Sequence, residues 1–129
     1  MPLDTVQPEI TTYSAIVGQV LANLRQERDV KQGELAAAVN IGQSTWSRIE
    51  KGEVAISIDQ LARAAAALGI NPSDILLWAD QVVASFTEEK HGTVLTDKPA
   101  EIKKNGIGAG TLLLGAGALA AIVWAARQK

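Results

Sequence analysis

The stretch Gln32-Gly33-Glu34-Leu35-Ala36-Ala37-Ala38-Val39-Asn40-Ile41-Gly42-Gln43-Ser44-Thr45-Trp46-Ser47-Arg48-Ile49-Glu50-Lys51-Gly52 decides the reading of this chain. It reads as two short helices that meet at a tight turn around Asn40 to Gly42. In the first, Leu35, Ala36 and Val39 recur at the spacing of one helix face. In the second, Trp46 and Ile49 do the same, and Gly52 stops it. Ala36 is small where the helices must cross closely, and Ile41 faces inward between them. What remains outward on the second helix is Gln43, Ser44, Ser47 and Arg48. Such a helix can enter a DNA major groove with its first residues against base edges. Glutamine donates and accepts together, matching N6 and N7 of adenine, and arginine can fork onto O6 and N7 of guanine. The plainer reading of these side chains is a solvated polar face.

Three further helices are predicted around this pair. One runs from about Tyr13 to Glu27, with Ile16, Val17, Val20, Leu21 and Leu24 on one face. Another opens at Ser57-Ile58-Asp59-Gln60, where the Ser hydroxyl and the Gln side chain can satisfy free backbone N–H groups reciprocally. Its buried stripe is read as Ile58, Leu61, Ala62, Ala65 and Leu68, and Gly69 ends it. The last opens at Asn71-Pro72, a cap residue followed by proline at the first helical position. Ile75, Leu76, Ala79, Val82, Val83 and Phe86 follow it at spacings of three and four. No stretch alternates with period two for long enough to predict a strand.

The segments Leu24-Arg25-Gln26-Glu27-Arg28, Gln32 to Ala36, Ser44 to Gly52, and Leu61 through Leu68-Gly69-Ile70-Asn71-Pro72-Ser73-Asp74-Ile75-Leu76 carry a family resemblance in order and spacing. Over about Val17 to Leu77, roughly half of the chain, it resembles the phage-repressor and Cro-like (XRE-type) helix-turn-helix family. The resemblance implies an all-α, five-helix repressor-like domain that binds double-stranded DNA. It implies a phosphate contact at Gln32 and base contacts at Gln43, Ser44 and Arg48. Thr45, Ser47 and Lys51 complete the implied DNA-binding set, with Thr45 and Lys51 near the backbone. Arg25 and Glu50 match a pair that forms an internal salt bridge. The chain departs from the family at Lys31, where Ser or Thr usually caps the helix, at Glu53-Val54, where basic residues are common, and at Ile56, where Pro is frequent.

Composition bounds the rest. The 129 residues carry a net charge of −2, with 47% hydrophobic, 20% charged and 4% aromatic residues and no cysteine. Between Tyr13 and Lys90, seven basic residues face ten acidic ones, a net −3. Phosphate neutralisation dominates affinity for DNA, so a single domain should bind weakly and a homodimer better. Trp78 is read either as a cap on the core or as part of a dimer surface with Val82 and Phe86. Without cysteine there is no thiolate metal site or thiol chemistry. The single histidine, His91, is read as solvated. No Ser-His-Asp set, metal-ligand cluster or catalytic carboxylate pair can be drawn, so neither an enzyme nor a metal or other cofactor is expected.

Residues 1–12 read as a loose arm, 13–88 as the helix-turn-helix domain and 89–105 as a linker. The 21 residues Gly106 to Ala126 lack any charge. About 20 apolar residues span a bilayer as a helix. Lys103 and Lys104 precede the run, Arg127 and Lys129 follow it, and Trp124 suits an interface. The expectation is a single transmembrane helix over 106–126 with a short tail, 127–129. The domain would then sit on the cytoplasmic side of the cytoplasmic membrane, because no export signal precedes it. Gly106, Gly110, Gly117 and Ala121 place small residues at four-residue spacing for membrane helix packing. The other reading of the run is a buried Ala/Gly helix.

The function expected is a membrane-anchored transcriptional regulator that binds a short operator, with a homodimer as the expected form. The alternative is a membrane-anchored adaptor that uses the same domain to bind a cytoskeletal or scaffold protein, which the acidic balance favours.

Overall fold

The computed structural model describes residues 9–89, 92–96 and 116–127. Among them are six helices and two short strands. Strand β1 spans Ile10–Thr12. Helices α1 (Tyr13–Glu27), α2 (Gln32–Val39), α3 (Gln43–Glu50), α4 (Ile58–Leu68) and α5 (Pro72–Glu89) follow. Strand β2 (Thr93–Leu95) and helix α6 (Ala116–Arg127) come last. Helix α1 is the central element and touches α3, α5 and α6, while α2 packs on α3 and α4.

The helix ends follow from local chemistry. The Thr12 hydroxyl accepts from the Ala15 amide and caps α1. Ser57 and Gln60 satisfy each other's backbone N–H groups at the start of α4. At α2, the Glu34 carboxylate accepts from the Lys31 amide at 2.8 Å. The Lys31 ammonium has no lone pair with which to return the favour, so only half of a reciprocal cap forms there. The first four helices all leave through a left-handed residue, which closes the last turn with two backbone bonds. That residue is glycine at Gly52 and Gly69 but not at Asp29 and Asn40.

One core holds the helices. The faces expected on α1, α2 and α3 are buried, with Ile16, Val20, Leu21, Val39 and Trp46 fully enclosed. The stripe on α4 differs from expectation. It consists of Leu61, Ala64, Ala65 and Leu68, whereas Ile58 is 85% exposed and Ala62 lies outside. Ile58 is the first helical residue of α4, and it shares the outward face with Ala62, one turn on. Gly18 explains why α1 and α3 cross so closely. A Cβ there would run into the Ile49 carbonyl oxygen.

Two expectations are corrected. The arm and the linker were each read without strand, yet β1 and β2 pair in parallel, Ile10 with Thr93 and Thr12 with Leu95. Each strand is three residues long, too short for an alternating pattern to show, so the domain is mostly helical rather than purely so. The expected membrane-spanning helix is not supported: among the described residues, no helix is long and apolar enough to cross a membrane. The described part of that run is the 12-residue α6, which lies on α1 and α5. Ile122, Val123 and Ala126 are buried and Ala121, Trp124 and Ala125 are exposed. This is the buried-helix arrangement, reached because i, i+1 and i+4 positions of α6 find an apolar bed. Gly106 and Gly110 lie outside the described residues.

Candidate nucleic-acid interface

The interface is built from α2, a turn and α3. Helix α2 ends at Asn40, whose φ of 69° turns the chain. The Ile41 amide returns to the Ala36 carbonyl and the Asn40 amide to the Ala37 carbonyl, both at 3.0 Å. Asparagine tolerates this region because its short polar side chain can bond locally. Gly42 then caps α3 in an extended conformation. The turn sets α3 across α2 with Gln43 beside Gly33.

A buried carboxylate fixes the angle of α3. Glu50, in its last turn, is 6% exposed. Its Oε2 accepts from Arg25 Nε at 2.7 Å and from Trp46 Nε1 at 2.6 Å. Its Oε1 accepts from Gln32 Nε2 at 2.7 Å and from Arg25 Nη2 at 3.2 Å. The fork of Arg25 meets the carboxylate bidentately, a geometry that adds both strength and direction. Arg25 Nη1 also donates to the Val30 carbonyl at 2.9 Å. One side chain thereby ties α1, α2 and α3 together. Trp46 is fully buried, and this contact satisfies its indole N–H, which would be costly to leave unpaired.

The outward face of α3 carries what the sequence suggested. Gln43, Ser44 and Arg48 are exposed, Thr45 and Ser47 half-buried, and Lys51 exposed just beyond the helix. Gln32 is placed differently from its family-implied role. Half-buried, it turns its amide inward to Glu50 rather than standing open for phosphate. Two contributions escaped sequence reasoning: the donor roles of Trp46 and Gln32 toward Glu50. The i, i+4 spacing of Trp46 and Glu50 was the available signal, since such pairs meet on one helix face.

On α5, Trp78, Val82 and Phe86 are all buried. The Trp78 indole donates to the Val123 carbonyl of α6 at 3.2 Å. The dimer surface considered for these three residues is therefore covered within the monomer.

Comparison with known proteins agrees with this geometry. Residues 16–78 match a family described as helix-turn-helix domain. No curated protein sequence matches the chain. Among solved structures, the clp gene regulator ClgR from Corynebacterium glutamicum is 26% identical over 61% of this chain and 84% of its own, with a TM-score of 0.59. A second structure of that regulator is 29% identical over 53% and 88%, with a TM-score of 0.51. The restriction-modification controller protein C.AhdI from Aeromonas hydrophila is 28% identical over 49% and 94%, with a TM-score of 0.46. The family match and the two ClgR structures support the resemblance to the XRE-like helix-turn-helix family. The family match runs from α1 into α5.

Proposed function

We propose that this chain is a transcriptional regulator that reads a short DNA operator through α3 and acts as a homodimer. The observation that carries the reading is the polar end of α3 held outward by the Glu50 network. Gln43, Ser44 and Arg48 project from a helix whose orientation three helices fix. That is the preorganisation a groove-reading helix needs. The similarity to a clp gene regulator adds support. Gln43 and Arg48 read base edges, Ser44 and Ser47 assist, and Thr45, Lys51 and the N-terminal end of α2 at Gln32 lie against the backbone. The acidic balance of the domain makes a single copy a weak binder, so a second copy supplies the missing affinity.

The test is binding of the full chain to pooled genomic duplexes across a salt titration. Salt-dependent binding that selects a subset of sequences supports the reading. No binding to any duplex at low salt refutes it and leaves the adaptor function in its place. A finer proposal is placement at the cytoplasmic membrane through residues 106–126. Its support is the charge-free run between basic flanks. Recovery of the intact chain wholly from the aqueous fraction would refute it.

A further inference from the structure

The apolar C-terminal run has two beds open to it. One is visible in the fold. Helix α6 lies on α1 and α5 with Ile122, Val123 and Ala126 buried. The Trp78 indole bonds to the backbone of Val123. The other is lipid. The run of 21 charge-free residues reaches about 30 Å as a helix, the thickness of a hydrocarbon core. Its flanking cations, Lys103, Lys104, Arg127 and Lys129, suit anionic headgroups. Trp124, 60% exposed on the outer side of α6, suits the headgroup boundary. The two beds exclude each other, because a Val123 sealed against α1 and α5 cannot face acyl chains.

We propose that α6 exchanges between this docked position and a lipid bilayer, so that the helical domain itself competes with the membrane for its own tail. The proposal rests on the membrane placement stated above. Among the described side chains of α6, Ile122, Val123 and Ala126 are buried and Ala121, Trp124 and Ala125 are exposed, so one face is seated on the domain and the other is open to a second environment. The residues between Thr96 and Ala116 give the tail contour length enough to leave. Lipid therefore acts on the domain by uncovering Trp78 and the α1/α5 face beneath α6.

Two substitutions separate the beds. Trp78→Phe removes the bond to Val123 without touching the apolar run. Trp124→Ala removes a largely exposed ring and leaves the buried Ile122, Val123 and Ala126 in place. The full-length protein is mixed with vesicles of phosphatidylcholine and phosphatidylglycerol and separated by flotation. W78F should bind about two- to tenfold more tightly than wild type, the range of one lost hydrogen bond. W124A should bind more weakly while melting at the wild-type temperature. In the wild-type protein, the Trp78 indole N–H resonance, assigned by its nuclear Overhauser contact with the backbone around Val123, should shift when lipid nanodiscs are added. If W78F does not fold, that resonance decides alone. Vesicle binding equal in wild type and W78F, with the resonance unmoved, overturns the exchange and leaves the membrane placement standing. No flotation of either protein overturns both. A resonance that moves with protein concentration instead of lipid overturns the exchange in favour of a tail swapped onto a second copy.

Discussion

Replacing Glu50 by Ala tests the arrangement that orients α3. The substitution removes the acceptor for four donor contacts, from Arg25 Nε and Nη2, Gln32 Nε2 and Trp46 Nε1. Gln32 is half-buried and can turn toward water. Trp46 is fully enclosed and cannot, so its stranded N–H costs about 1–3 kcal/mol. The Arg25 side chain, 12% exposed, keeps only the Val30 carbonyl. Breaking a buried pair by removing one partner costs about 3–5 kcal/mol, because the other charge is left uncompensated. We expect E50A to lose about 3–5 kcal/mol in all, a large share of the roughly 5–15 kcal/mol that keeps a domain folded. For a domain of this size the melting temperature should fall by at least about 12 °C. The assay is urea and thermal unfolding of the full chain followed by circular dichroism. E50Q, which keeps the volume but loses the charge, should lose less. A loss below about 1 kcal/mol for E50A would show that water replaces these contacts freely, and the claim that Glu50 holds α3 in place would fail.

Gly18→Ala should destabilise by about 1–3 kcal/mol through overpacking, despite the better helix propensity of alanine, because its Cβ meets the Ile49 carbonyl; an unchanged urea midpoint would mean that the α1–α3 crossing yields easily. The Tyr13 hydroxyl donates to Asp80 at 2.8 Å, and burial, then this bond, then the Asp80 charge push its pKa up from 10.0 to about 12. Its folded pKa lies above the unfolded one, so its stabilisation is complete below pH 10 and is lost as pH rises toward 12. Tyr13→Phe should therefore flatten the stability profile in that window, and parallel wild-type and Y13F curves would contradict the shift. Arg48→Ala should cost about 1–3 kcal/mol at the preferred duplex and relax its selectivity, whereas Lys51→Ala should weaken all duplexes alike and lower the salt slope by about 1. Competition binding with matched and scrambled duplexes separates the two, and identical behaviour of both variants would remove the distinction between base and backbone roles.

The helices of the domain were legible because their apolar residues repeat at helical spacing over eight residues or more, and because Gly52 and Gly69 mark their ends. The stripe on α4 was misread at Ile58, since a first-turn residue can satisfy the pattern while extending beyond the core. The strands escaped because three residues cannot display a period. Gly18 gave a usable warning: glycine inside an otherwise strong helix costs about 1 kcal/mol, and its presence signals a close backbone approach. Arg25 and Glu50 were readable as a pair. The inward turn of Gln32 was not, because a glutamine at the start of a helix can reach either solvent or a neighbouring carboxylate. The C-terminal run could not be resolved by composition, because an Ala- and Gly-rich helix is suited both to a bilayer and to a shallow bed on its own domain.

The parallel pairing of β1 and β2 sets how the folded unit bears mechanical load. Tension applied at the two chain termini draws β1 toward its beginning and β2 toward its end. The strands must then slide past each other, and their hydrogen bonds yield together instead of peeling one by one. A three-residue buckle of this kind joins entrance to exit, so force on the tail strips α6 away before it reaches the bundle that carries α3.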